Sequence, residues 1–414
     1  MKKTFTLFLL AIAGLGSRAQ VGIGTNAPLT GFHVLDSNVL FSKAGDVPAS
    51  PKSFPVVPEG RRMLWYPEKA AFRAGYVGGF GATYWNTANV GNYSFAVGNN
   101  SRATGSTSFA AGLTTTASGS ESVALGNNGT ASGERSFAFN GYATAVGAVA
   151  IGTGAQATND DAVALGISSI ASGLGSVTIG PSIARGSFAI AIGLQNSARG
   201  NFSTAIGKNA RVNHQGSMVL GDAAAGFSSD SVYSSLHNQM TMRFVGGVRI
   251  FTSQNLTSGV QVLPGGGSWS SVSDRNKKEN FSTVDKEVLL GKVAKLDITR
   301  WNYKSQPASQ QHIGPMAQDF HKAFGLDGVT NDTTINTVDI DGVNMVAIQA
   351  LEIRTGKLQQ ENKELKEQLS QLSERLMRLE AEKGRSAGRK KRNRSKGVEG
   401  SIAGVAANVV REEK

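Results

Sequence analysis

Ser273 and Lys278 are a hydroxyl and an amine standing five residues apart in the polar stretch Trp269-Ser270-Ser271-Val272-Ser273-Asp274-Arg275-Asn276-Lys277-Lys278-Glu279-Asn280. Together they could form a nucleophilic pair. Serine attacks a carbonyl only when a base takes its proton. A lysine serves as that base when burial or neighbouring positive charge favours its neutral form. Arg275 and Lys277 are the neighbouring charges here. On an ideal helix five residues subtend about 140°, so the two side chains would not share a face. They need a turn between them, and Ser273-Asp274 has the composition of a helix cap that would supply it. On spacing alone, a polar capping loop remains the plainer reading.

The elements around the pair have contrasting compositions. Met1-Lys2-Lys3, an apolar run from Phe5 to Leu15 and the exit Ser17-Arg18-Ala19-Gln20 read as an export signal over 1–19. No stretch is long and apolar enough for a transmembrane helix, so a secreted or cell-surface location without a membrane span is expected. The chain has no cysteine, and its histidines (His33, His214, His237, His312, His321) lack ligand spacing. Neither a disulfide, a metal nor a cofactor is expected. Of the formal charge of +12, residues 383–414 supply +7, from ten Lys or Arg against three acids. That is a solvated basic tail over 384–414, and no specific nucleic-acid partner is read from it.

Residues 20–90 read as a β-rich lead-in. Val21–Thr25 and Phe32–Leu35 form short strands, Pro48 to Pro58 an extended connector, and Arg62–Tyr66 with Phe72–Gly75 further β-structure. From Gly91 to Gly221 the chain repeats: Ser94-Phe95-Ala96-Val97-Gly98 returns as Ser108-Phe109-Ala110-Ala111-Gly112 and Ser122-Val123-Ala124-Leu125-Gly126, through ten copies mostly fourteen residues apart. Small and large residues alternate within each copy, while pieces such as Ala103-Thr104-Gly105 and Ala117-Ser118-Gly119 provide a second short strand. The expected fold is mainly β, a parallel β-roll of about fourteen-residue coils. So thin a coil buries little, and several identical chains are expected to pack together.

This repeat resembles the head of the YadA-type trimeric surface adhesins, which implies a left-handed, trimeric, adhesive head with an unidentified host or matrix ligand. Nothing resembling the C-terminal β-barrel anchor of those adhesins is read here, so their mode of display is not carried over. Residues 222–268 form a connector, in which Asn238–Phe251 reads as a hairpin around Gly246-Gly247. Arg243 and Arg249 lie on its polar positions.

Beyond the junction, Ser273–Asn280 is followed by Trp301-Asn302-Tyr303, His312-Ile313-Gly314-Pro315-Met316-Ala317-Gln318-Asp319-Phe320 and Asp339-Ile340-Asp341-Gly342-Val343-Asn344. In that order these motifs are similar to the endosialidase-type intramolecular chaperone of phage tail spikes, here a small α+β domain over 269–350. The resemblance implies assisted trimerisation followed by self-cleavage at Val272-Ser273. Ser273 would be the nucleophile, Lys278 the base and His312 an orienting or stabilising residue; Lys277 departs from the family pattern beside the base. From the residues alone, His312 could equally serve only the fold. Gln318 and Asp319 open a helix with Phe320 and Phe324 on its apolar face, and Asp339-Ile340-Asp341-Gly342 reads as a turn.

A heptad pattern then runs over 351–383, with Leu351, Leu358, Leu365, Leu372 and Leu379 at one core position and Thr355, Asn362, Leu369 and Leu376 at the other. It predicts a coiled coil ended by Gly384. The whole reads as a homotrimeric fibre, adhesin-like or tail-fibre-like, whose only catalysis would be one self-cleavage per chain. An uncleaved structural stalk is the alternative. A polysaccharide-processing spike is less favoured, because Glu121, Glu134, Asp160 and Asp161 are the only acids among the repeats and occupy loop positions.

Overall fold

Each repeat folds into one coil, because its small residues allow two short strands to lie almost in contact. In the computed structural model, which describes residues 20–54, 59–224, 226, 228–326 and 333–391, the repeats build a β-solenoid followed by a small α+β region with three helices. The leader read at 1–19, Pro55, Pro58 and the tail beyond 391 lie outside the described residues. The chain divides into two units, Met1–Arg249 with Gln261–Trp269, and Ile250–Val260 with Ser270–Lys414.

In the first unit, the first strand of every coil joins a thirteen-stranded sheet and the second strand a ten-stranded sheet. Successive coils pair parallel and in register, Ala96 with Ala110 and Ala110 with Ala124. The interior is a double column of alanines. Ala96, Ala110, Ala124 and Ala138 come from one sheet and Ala103, Ala117, Ala131 and Ala143 from the other, all fully buried. A buried group of CH₂ size contributes about 0.8 kcal/mol, so the coil gains little from its core and depends on the hydrogen-bonded ladders. The leading serine of the repeat ties down a corner. Ser108 Oγ donates to the Gly105 carbonyl at 2.7 Å and Ser122 Oγ to Gly119 at 2.6 Å, pairing an oxygen that burial would otherwise orphan. Glycine is required at that corner because a Cβ on Gly105 would collide with the Gly119 carbonyl of the next coil.

The larger apolar residues alternate outward. Phe72, Phe95 and Phe109 stack along the outer face at 5.2 and 5.1 Å. Phe109, Phe139, Ile151 and Ile179 on that face remain 36–43% exposed.

The lead-in supplies β1 (Val21–Ile23) and β2 (Phe32–Val34), a parallel pair, and β3 (Gly60–Tyr66) and β4 (Ala71–Val77), an antiparallel pair. β4 starts the solenoid by pairing parallel with Phe95–Asn99. Arg73 occupies the interior register of Ala96 and is fully buried. Its guanidinium donates to Ser94 Oγ and the Ala103 carbonyl at 2.8 Å, to the Phe72 carbonyl at 2.7 Å and to the Ser94 carbonyl at 3.0 Å. It thereby plugs the open end of the alanine column, and burial lowers its pKa to about 10.

The expected hairpin over Asn238–Phe251 does not form. The Gly-Gly turn is present, with Gly247 N–H donating to the Phe244 carbonyl at 2.8 Å, but the flanking strands diverge. Met240–Arg243 pairs parallel with Met218–Gly221 as the last rung of the long sheet, and Val248–Phe251 joins Gly259–Val262 in another sheet. The free edge of Met218–Gly221 offers a ladder already in register, which outweighs the local preference of the turn. Arg243 is consequently structural: its Nε meets Asp222 Oδ1 at 3.1 Å.

In the second unit, α1 (Lys286–Val293) is capped by Asp285 and packs Leu290 against Ala347 and Ala350 of α3 (Thr337–Lys391). α2 (Ala317–Phe324) carries Phe320 and Phe324 on one face, their rings 4.8 Å apart, and ends at Gly325 in the left-handed region. α3 corrects two expectations. Asp339–Gly342 is helix rather than turn, because Asn336 Oδ1 accepts from Val338 N–H at 2.9 Å and starts the helix there. The helix also passes through Gly384 and Gly388 to Lys391; each glycine costs about 1 kcal/mol, which the long helix preceding them carries.

Candidate functional site

The polar junction is shaped by Asp274. As N-cap of a short 3₁₀ turn over Arg275–Lys277, it accepts through Oδ1 from Asn276 N–H at 2.9 Å. The Asp274 carbonyl accepts from Lys277 N–H at 3.1 Å, and Arg275 from Lys278 N–H at 3.2 Å. That reversal does what an ideal helix would not. Lys278 Nζ donates to Ser273 Oγ at 2.7 Å. Both residues are exposed in the single chain.

Two neighbours steady the pair. Val272 N–H donates to the Gly259 carbonyl at 3.0 Å, which holds the residue before Ser273 extended. Lys277 Nζ reaches the Leu256 carbonyl at 3.3 Å, so the two adjacent lysines have different partners. Neither carbonyl carries a sequence signal, because both belong to the backbone of a loop well upstream. Arg275 lies over the Phe281 ring at 5.0 Å, an arrangement that needs the turn to close first.

His312 lies elsewhere. Its strand, His312–Gly314, pairs antiparallel with Thr299–Trp301. The ring sits 4.8 Å from Trp301 and 5.7 Å from Tyr303, with Nε2 3.0 Å from Gln306 Oε1. No hydrogen bond joins it to Ser273 or Lys278 among the described residues. Of the residues read as catalytic, the fold therefore brings Ser273 and Lys278 together and seats His312 in an aromatic cluster. That cluster borders a cleft lined by Trp301, Tyr303, Met316, Gln318 and Ile335.

A family model described as chaperone of endosialidase matches residues 273–327, beginning at Ser273. A second, described as YadA head domain repeat, matches 90–115, 117–139, 143–169, 157–182 and 184–210. The chain carries an endosialidase-chaperone domain and YadA head repeats. No curated protein matches it. The chaperone match thus covers the Ser273–Lys278 turn, α1, the strand pair holding His312 and α2, while the YadA head matches fall within the alanine-cored coils.

The four acids of the repeat region lie on coil corners. Glu134 pairs with Arg135 at 2.6 Å, Asp160 accepts from Val146 N–H at 3.1 Å, and Glu121 and Asp161 hold left-handed turn positions. Among the described residues no group of three or more histidines or acids is arranged to hold a metal ion. None of the described helices is long and apolar enough to cross a membrane.

Proposed function

We propose that this chain is an exported, homotrimeric surface fibre whose chaperone domain registers three copies and then cuts itself free at Val272-Ser273. The observation that carries the reading is the 2.7 Å contact between Lys278 Nζ and Ser273 Oγ, built by the Asp274 turn. With Lys278 neutral, Ser273 Oγ attacks the Val272 carbonyl carbon while Lys278 takes its proton. The C–N bond breaks, Lys278 returns the proton to the departing Ser273 amine, and an ester joins Val272 to Ser273 Oγ. Water hydrolyses that ester, leaving a Val272 carboxylate and Ser273 as a new N-terminus. Copies packing over the exposed pair would exclude water from it and couple cleavage to assembly.

Support for association comes from two uncovered apolar surfaces. One is the outer face of the long sheet. The other is the α3 stripe of Leu351, Leu358, Leu365, Leu372 and Leu379, which is 51–60% exposed. A two-helix contact near α1 does not account for a helix of 55 residues, whereas a coil of copies does. Three copies is what both resemblances imply. Once the chaperone leaves, the fibre would lack its folding template and be held kinetically.

The test is the intact mass and new N-terminus of the purified protein beside Ser273→Ala and Lys278→Gln. Two pieces from the wild type, with Ser273 leading the second, and whole chains from both variants are expected. If the wild type stays whole while trimeric, the pair is a capping contact and the chaperone a retained stalk.

A further inference from the structure

We propose that one corner of the solenoid, built by Arg185, Phe188, Arg199 and Phe202, is a binding site for an acidic polysaccharide. This goes beyond the fibre reading and rests on it only for the corner's access to the outside. The same short sequence occurs in two consecutive coils, Ala184-Arg185-Gly186-Ser187-Phe188 and Ala198-Arg199-Gly200-Asn201-Phe202. The coils are bonded in register, Arg185 N–H to the Ala198 carbonyl at 2.8 Å and Ser187 N–H to Asn201 Oδ1 at 3.0 Å. Like residues therefore lie one rung apart, about 4.8 Å.

Nothing in the fold calls for these four side chains. Phe188 and Phe202 occupy the left-handed corner position, with φ of 55° and 57°, that other coils fill with Gly147, Gly175 and Gly216 or with Tyr93, Thr107, Glu121, Arg135 and Asp161. Phenylalanine gains nothing from that conformation. The side chains point away from the alanine column, their rings stack on each other at 5.5 Å and 9°, and they remain 52% and 58% exposed. Glycines hold this position in the coils on either side, so no side chain there covers the stack. The arginines replace the serine that this column carries at Ser118, Ser132 and Ser172. Both are exposed, and neither guanidinium has a hydrogen-bonded or ionic partner among the described residues.

Charge along the repeats selects the ligand. Residues 91–174 carry Arg102 and Arg135 against Glu121, Glu134, Asp160 and Asp161, whereas residues 175–221 carry Arg185, Arg199, Lys208 and Arg211 and no acid at all. An anion is favoured at this end of the solenoid. Arginine binds carboxylates through paired N–H groups, and a flat aromatic stack offers apolar surface to the face of a sugar ring. A chain of uronic-acid units presents both features repeatedly, as the coils do.

The experiment measures binding of the full chain to polygalacturonate, with dextran and an oligothymidylate as controls, over a range of salt. The variants take residues from neighbouring coils, so the fold already accommodates them: Phe188→Gly with Phe202→Gly, and Arg185→Ser with Arg199→Ser. Wild type is expected to bind polygalacturonate and not dextran, and each pair of substitutions to weaken binding about tenfold or more. The arginine pair should also flatten the salt dependence. Absent binding, binding that either variant retains unchanged, or equal affinity for oligothymidylate would each overturn the proposal. So would a change in oligomeric state on the phenylalanine substitutions, which would make the corner an interface between copies. Assembly and cleavage, read on the same samples, report on the fibre reading separately.

Discussion

The solenoid and the chaperone-bearing unit solve the burial problem in opposite ways. In the solenoid the chain is its own neighbour: each coil lies on the next, the ladders continue without interruption, and small side chains such as Ala96 and Ala103 fill the interior. In the second unit, Leu290, Ala347 and Ala350 form a small core near one end of α3, while Leu365, Leu369, Leu372 and Leu376 farther along remain 57–67% exposed. Repetition along one chain satisfies the backbone of the solenoid. Along α3 the leucines beyond that core stay exposed in the single chain, and the proposed coil of copies is what would cover them. Both regions display large apolar side chains outward.

Breaking the solenoid should have the largest effect. Ala138→Asp places a carboxylate in the alanine column four rungs from Arg73, too far for the two to pair, and the cost should be at least about 3–5 kcal/mol. Circular dichroism during thermal unfolding should lose the β signal early while helical signal persists. A common shift of both signals would show that the two units fold together. Next is Leu365→Asn, which should dissociate the assembly in sedimentation at micromolar concentration and leave the β transition of the solenoid within about 0.5 kcal/mol of wild type. Loss of the β transition would show that the solenoid, too, requires its copies.

Arg73→Met sharpens the comparison at the solenoid's open end. It removes donors from the Ser94 and Ala103 carbonyls and should cost about 1–3 kcal/mol, read as a lower denaturant midpoint. An unchanged midpoint would mean that the solenoid does not depend on this plug. The smallest effect expected is at Asp222, whose pKa is lowered from 3.8, chiefly by the Val245 N–H bond, with burial opposing it next and the Arg243 and Ala224 N–H bonds adding to the lowering. Its folded pKa lies below its unfolded one, so its contribution is complete above about 3.8 and is lost as pH falls through the lower folded value. Asp222→Asn should therefore remove a small acid-limb slope from the stability profile and change little else.

Much of the architecture is legible in the residues themselves. The fourteen-residue step, the alternation of small and large residues and the Gly corners all follow from stacking like on like, which writes the coil's geometry into each repeat. The Asp274 turn between Ser273 and Lys278 is legible too, because an Asp cap is a local device. What escapes is non-local. The Gly246-Gly247 turn is visible, but the strand before it finds a better edge at Met218–Gly221. The helix start at Thr337 depends on an Asn336 cap that the Asp-x-Asp-Gly pattern obscures. His312 is left open by the residues alone, an orienting group by resemblance or a structural one, and only the strand pairing shows that it sits against Trp301 and Tyr303.

The amino-acid sequence alone determined the period of the coils, the residues of their interior and the leucine stripe of α3, because each is a repeat whose spacing is its geometry. The tertiary structure decided that Arg73 plugs the alanine column, that Met240–Arg243 closes the long sheet, and that Lys278 rather than Lys277 meets Ser273. Two adjacent lysines are nearly equivalent along a chain. They become different only when a turn aims one at a hydroxyl and a distant loop offers the other the Leu256 carbonyl, since a hydrogen bond depends on distance and direction in space, not on separation in sequence.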